Sequence, residues 1–295
     1  MSGNVISHDA VELYNEYIHG DLPRRAFLKK LAGIAGSAAA AGALLPLLEP
    51  NYAYGQQVEE HDPRLVTGYV EYPRTGGPVR AYFAKPAQQD GPLPGILVIH
   101  ENRGLNAHIE DVARRAALAG YLALAPDGLT FAGGAPQDQE AARDLFGNSD
   151  GERITNDVIA GVPYLAARED CNDRVGTVGF CYGGGVSLLC AAREPAVSAA
   201  VCFYGRPLEA EDVAKVTAPL MMHYAGEDKR INESIPAFRA LLDEQLVAYS
   251  LNMYPGTGHG FHNDTSAARY NAEAARLAWS RTINLFNYAL GREAV

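Results

Sequence analysis

Cys181 lies in Gly179-Phe180-Cys181-Tyr182-Gly183, between a run that reads as a strand and one that reads as a helix. In this glycine–x–nucleophile–x–glycine arrangement, small residues let a sharp strand-to-helix turn raise a nucleophile above a sheet. A cysteine there sits at a helix N-terminus, which favours the thiolate, and the N–H of Tyr182 would be one oxyanion donor. Alone, the motif also fits a glycine-rich packing contact around a buried cysteine. Two later segments favour chemistry. Asp228 follows a strand in Ala225-Gly226-Glu227-Asp228, and His259 follows another in Gly256-Thr257-Gly258-His259-Gly260-Phe261. Taken singly, they read as a loop aspartate and a surface histidine. Together with Cys181 they give the chain order nucleophile, acid, histidine. His259 would take the thiol proton or activate water, and Asp228 would orient the imidazole and stabilise its cation. The chemistry of such a set is acyl transfer through a thioester.

These residues need a scaffold. Leu65–Tyr72 and Val79–Lys85 alternate and predict an opening hairpin around Thr75-Gly76-Gly77. Gly95–His100 is a continuous apolar run, as in a strand buried on both faces. Asn106 caps a helix with Ile109, Val112, Ala113 and Ala116 on one side, and Gly120 stops it. Further strands are predicted at Tyr121–Ala125, Arg174–Phe180, Val197–Tyr204, Pro219–Tyr224 and Ala248–Tyr254. Helices are predicted at 137–147, 152–168, just after Cys181 through Arg193, at Ile231–Leu246 and at Ala267–Leu290. Short apolar strands alternating with helices imply an α/β class: a mostly parallel central sheet with helices on both faces, and residues 56–295 as a single domain. Ligands in such sheets bind beyond the carboxyl ends of the strands.

Other motifs fail on inspection. His100-Glu101 begins a metalloprotease-like pair, but Gly104 stands where the second histidine is needed. His259 and His262 lack a supporting cysteine or carboxylate cluster. Gly183-Gly184-Gly185 lacks the lysine and hydroxyl residue of a phosphate loop. No cofactor and no metal are expected.

The 295 residues are 47% hydrophobic and 20% charged, within the globular range, with a net charge of −10 that disfavours a nucleic-acid partner. Residues 1–55 read differently from the rest. Arg24-Arg25-Ala26-Phe27-Leu28-Lys29-Lys30 precedes an uncharged stretch, Leu31–Leu48, and then the small residues Ala53 and Gly55. The segment resembles a twin-arginine (Tat) export signal, with residues 24–55 engaging the export machinery and the protein placed in the periplasm or secreted. The alternative is a retained membrane anchor, weakened by Pro46 and by the Ala/Gly content. Of the four cysteines, Cys190 and Cys202 read as buried small hydrophobes, and the sequence leaves the pairing of the cysteines open.

Over residues 65–290 the chain resembles the dienelactone hydrolase family, an α/β-hydrolase fold. The resemblance rests on Val98-Ile99-His100-Glu101-Asn102-Arg103-Gly104-Leu105-Asn106, Ala123-Leu124-Ala125-Pro126-Asp127, Gly179–Gly184, Gly226-Glu227-Asp228 and Gly258-His259-Gly260-Phe261. It implies a triad of Cys181, His259 and Asp228. It also implies that Glu101 contacts the resting thiol and swings on substrate binding to release the thiolate, and that the Asn102 N–H joins Tyr182 in the oxyanion hole. From the residues themselves, Glu101 also fits an ion pair with Arg103. The family holds a substrate carboxylate with arginines, one just after the catalytic histidine. Here that stretch is Gly260-Phe261-His262-Asn263-Asp264, without arginine, and Arg103 or Arg206 would have to substitute, with Tyr204 lining the pocket. The expected activity is hydrolysis of a small ester or lactone. A non-catalytic small-molecule binder and an acyltransferase are the alternatives.

Overall fold

The computed structural model describes residues 6–20, 22–52 and 55–291. Three helices come first: α1 (His8–His19), α2 (Arg24–Ala35) and α3 (Ala38–Leu48). The hairpin β1 (Leu65–Tyr72) and β2 (Val79–Pro86) leads to β3 (Leu93–Ile99), α4 (Ala107–Leu118), β4 (Leu122–Pro126), α5 (Gln139–Gly147), α6 (Gly151–Ile159) and α7 (Gly161–Ala166). Then follow β5 (Cys171–Phe180), α8 (Tyr182–Arg193), β6 (Val197–Phe203), α9 (Ala210–Val213), β7 (Leu220–Ala225), α10 (Lys229–Asn232), α11 (Ile235–Glu244), β8 (Tyr249–Tyr254) and α12 (Ala272–Ala289).

The strands form one eight-stranded sheet in the order β1-β2-β4-β3-β5-β6-β7-β8. Strand β2 runs antiparallel to both β1 and β4, and every other neighbouring pair is parallel. The inner strands are mainly apolar and buried along most of their length because helices cover both faces. One face packs against α4 and α12 through Ile109, Val112, Ala278 and Phe286. The other packs against α6, α7, α8 and α11 through Val158, Leu165, Leu188 and Phe238.

Three predicted helices differ from the structure. The 152–168 run breaks between α6 and α7, where Pro163 has no N–H with which to continue the ladder. Ile231–Leu246 breaks after Asn232, and Pro236 in the first turn of α11 is the cause of the same kind. The last helix starts at Ala272 instead of Ala267, capped by the Asn271 side chain on Ala274 N–H.

The N-terminal segment, expected to be a signal apart from the domain, is helical and packed on the body. Tyr14, Tyr17, Phe27, Leu31 and Leu48 form their own buried cluster. Gly36, with φ +83°, ends α2, so the Leu31–Leu48 stretch is not one helix; α2 and α3 meet at a bend of 107°. No single described helix is long and apolar enough to cross a membrane, although this bent pair passes by length and composition together. Of the expected cleavage region, Ala53 and Tyr54 lie outside the described residues.

Candidate active site

The sheet brings three strand ends together. Cys181 sits between β5 and α8 with φ 53° and ψ −113°, a conformation that a side-chain-bearing residue adopts only when its surroundings hold it there. Its N–H donates to the Phe203 carbonyl at 2.9 Å. Two glycines make the turn possible. A Cβ on Gly179 would overlap the carbonyl of Gly183, and one on Gly183 would lie 2.5 Å from the carbonyl oxygens of both Ile99 and His100. The elbow therefore presses against the end of β3, which leads directly into Glu101 and Asn102, and Asn102 lines the same cavity as Cys181. Tyr182 heads α8, so its N–H has no acceptor within the helix and is free to face an oxyanion.

Asp228 follows β7 and caps α10, accepting from Ile231 N–H at 3.4 Å. Its Oδ2 accepts from His259 Nδ1 at 2.5 Å. Both groups are buried. Burial alone would raise the Asp228 pKa, but the hydrogen bond and charge of His259 outweigh it and hold it below its usual value. For His259, burial alone would lower the pKa. The charge of Cys181 and the hydrogen bond to Asp228 reverse this and hold it at about 9. The bond to Asp228 fixes the imidazole so that Nε2 is the nitrogen left for chemistry, and Nε2 has no hydrogen-bond partner.

Cys181, His259, Asp228, Asn102 and Tyr182 lie together around the cleft at these strand ends. Glu101 is buried nearby, but its Oε2 accepts from Asn263 Nδ2 at 2.9 Å. The alternative Glu101–Arg103 ion pair does not form among the described residues, whose ion pairs leave both groups out. Arg103 instead turns under α1, donating to the Tyr14 hydroxyl and to Asn102 Oδ1, each at 3.4 Å. Tyr204 lies against His259, ring centroids 4.9 Å apart, with an unpartnered buried hydroxyl. Burial, with Glu101 and Cys181 nearby, pushes its pKa well up, so the phenol stays neutral. Arg206 is exposed at the cavity wall. All four cysteines are free and buried; burial raises the thiol pKa of Cys171 and Cys190 and carries that of Cys202 to about 12.

Sequence reasoning missed three residues. Asn263 orients Glu101 and is itself fixed, its Oδ1 accepting from Thr265 Oγ1 at 2.5 Å. It stands in Gly260-Phe261-His262-Asn263-Asp264, the stretch without arginine. Arg269, ten residues past His259, is buried, held through Nε to Ser266 Oγ at 3.0 Å, with one guanidinium nitrogen unpartnered. It lay inside a run read as helix. The third is His19 of α1, whose Nδ1 is 3.7 Å from Cys181 Sγ and whose ring meets that of His259 edge-on at 4.3 Å. Burial, reinforced by His259, Arg230, Arg269 and Arg103, holds its pKa well below the ordinary value, so the imidazole is neutral. No local motif marks it.

Helix α1 divides the cleft above the sheet. On one side a cavity of about 670 Å³ is lined by Cys181, Tyr182, Asn102, Tyr204 and Arg206. On the other, one of about 850 Å³ is lined by Asp228, His259 and Arg269. His19 and Arg230 line both. The helix is held by Asn102 Nδ2 donating to the Ile18 carbonyl at 2.9 Å and by the Tyr17 hydroxyl on Glu140 at 2.9 Å.

Residues 79–290 match the profile described as the Dienelactone hydrolase family. A protein of Escherichia coli strain K12, provisionally named a carboxymethylenebutenolidase, is 33% identical over 253 residues, covering 81% of this chain and 93% of that one. A Bradyrhizobium protein, provisionally named a 2-oxo-3-(5-oxofuran-2-ylidene)propanoate lactonase, is 34% identical over 237 residues, covering 74% of this chain and 93% of its own. A crystal structure from Klebsiella pneumoniae, provisionally titled a dienelactone hydrolase, aligns with a TM-score of 0.68 at 29% identity, over 75% of this chain and 98% of that one.

Proposed function

The chain belongs to the dienelactone hydrolase family, and from that premise we propose that it hydrolyses a small ester or lactone through a thioester on Cys181. The observation that carries this reading is the 2.5 Å bond between Asp228 and His259, set beside a cysteine on a strained elbow. Cys181 attacks the carbonyl carbon, and the N–H groups of Asn102 and Tyr182 receive the oxyanion. Each such donor supplies roughly 3 kcal/mol of transition-state stabilisation. The imidazolium of His259 then protonates the leaving oxygen. Acylation also removes the negative charge on sulfur, the largest influence raising the His259 pKa. The neutral imidazole so formed takes a proton from water, and hydroxide attack releases the acid and the thiolate. Glu101 competes with His259 for the thiol proton in the resting state, its position set by Asn263.

Arg269 and Arg206 give the cleft positive charge where the family's arginine after the histidine is absent. The preferred substrate in this reading carries a carboxylate. The Arg24-Arg25 segment, both arginines exposed, serves in the same reading as a twin-arginine signal that directs the protein to the periplasm or outside the cell. The test is hydrolysis of a panel of activated aryl esters and of lactones with and without a carboxylate, under reducing conditions. Turnover that ranks the carboxylate lactones first supports the reading. Absence of turnover by folded, reduced protein across the panel contradicts it.

A further inference from the structure

We propose that His19, Cys181 and His259 form a three-ligand zinc site across the catalytic pair, with α1 supplying the third ligand. One ligand atom from each residue lies within 4.8 Å of the other two. The distance from Cys181 Sγ to His19 Nδ1 is 3.7 Å. A tetrahedral zinc with ordinary Zn–S and Zn–N bonds sets its sulfur and nitrogen ligands about 3.6 Å apart. The donor set is one thiolate and two imidazoles, which suits zinc and not the oxygen-seeking magnesium or calcium.

The outer contact of His259 also fits, whereas His19 Nε2 is buried without a partner. His259 donates its Nδ1–H in a hydrogen bond to Asp228, the carboxylate–histidine arrangement that fixes a metal-binding imidazole and leaves Nε2 for the ion. That Nε2 is buried and has no partner. The two rings meet edge-on and not stacked, and one nitrogen of each lies within 4.8 Å of the sulfur. Cys181 and His19 both line the cavity of about 670 Å³, and water from it would complete the coordination.

Zinc enters as the divalent ion. The sulfur binds as thiolate and both imidazoles bind neutral, so the one proton shared by Cys181 and His259 leaves to solvent. No redox change occurs. In the chain that retains α1, the bound ion occupies both nucleophile and base, shields the sulfur, and pins α1 across the cleft. The loss of hydrolysis rests on the reading in the preceding section; the metal site does not.

The test uses the full chain, reduced and stripped of metal. Cobalt(II) is titrated as an optical stand-in, and zinc affinity is then measured by competition with a chelator. The expected result is one cobalt per chain with a thiolate-to-cobalt charge-transfer band, displaced by zinc and absent from Cys181→Ser. His19→Gln is expected to weaken zinc binding about 100-fold or more. His19→Cys, which retains a ligand, restores it; that rescue separates ligation from mere seating of α1. Equal affinity for wild type and His19→Gln, no charge-transfer band, or no rescue overturns the site. Hydrolysis of p-nitrophenyl acetate is measured on the metal-free protein in parallel. A cobalt band with no hydrolysis of p-nitrophenyl acetate or of any member of the ester and lactone panel supports the metal site and removes the hydrolase reading, and hydrolysis without the band does the reverse.

Discussion

At the scale of single residues, the charge of Cys181 and the protonation of His259 are coupled. The raised pKa of His259, about 9, has the sulfur's charge as its largest supporting cause. Cys181→Ala removes that charge while leaving Asp228 in place. The His259 pKa, followed by the pH dependence of its imidazole resonances, is then expected to fall from about 9 toward the ordinary histidine value. The linkage has a definite sign. A raised histidine pKa contributes stability that is full below the unfolded value near 6.5 and is lost as pH rises through about 9. The stability advantage of wild type over Cys181→Ala is therefore expected to shrink across that window. Asp228→Asn leaves the shape but cannot hold the working tautomer, and a fall in turnover of roughly 10⁴-fold is expected in steady-state assays. A fall of less than tenfold would deny Asp228 its role.

The elements show which sequence signals are strong and which are not. The strands were legible to within a few residues, because inner strands of a parallel sheet must be apolar on both faces and turn residues bound them. Cys181, Asp228 and His259 were legible because each lies at a strand's carboxyl end within a glycine-rich turn. Helix breaks at Pro163 and Pro236 were overlooked, since the apolar pattern continues across both while the backbone ladder does not. Gly183 offers a test of the elbow. Its added Cβ would meet two backbone carbonyls that cannot swing away, so Gly183→Ala is expected to cost about 1–3 kcal/mol or more in urea unfolding and to displace Cys181. A second test lies in β7. His223 is buried between the Tyr254 hydroxyl at 2.9 Å and Thr282 Oγ1 at 3.1 Å, and burial lowers its pKa to about 3. The unfolded chain takes up that proton first as pH falls below 6.5, so stability is expected to decline by up to about 1.4 kcal/mol per pH unit toward pH 3. His223→Asn should flatten that slope; an unchanged slope would assign the loss to other groups.

Considered as a whole, the molecule is a hydrolase scaffold with its own N-terminal segment lying over the catalytic cleft. His19 was invisible to sequence reasoning for a physical reason: it meets Cys181 from 162 residues away, through the docking of α1, and no local spacing encodes that approach. Both large core clusters are built from residues beyond position 57, while α1–α3 hold together through a separate cluster. A chain beginning at residue 56 is therefore expected to fold and to turn over activated esters several-fold faster than the full chain, because the two halves of the cleft become one. Equal or slower turnover by the folded shorter chain would show that α1 does not obstruct the site. The central claim is the thioester, and the most direct measurement is mass spectrometry of the protein rapidly quenched during turnover of p-nitrophenyl acetate. The account predicts one acetyl group on Cys181, formed and lost at rates consistent with turnover, and neither adduct nor turnover in Cys181→Ala. Turnover that persists in Cys181→Ala, or an acetyl group that resides on another residue, would contradict it.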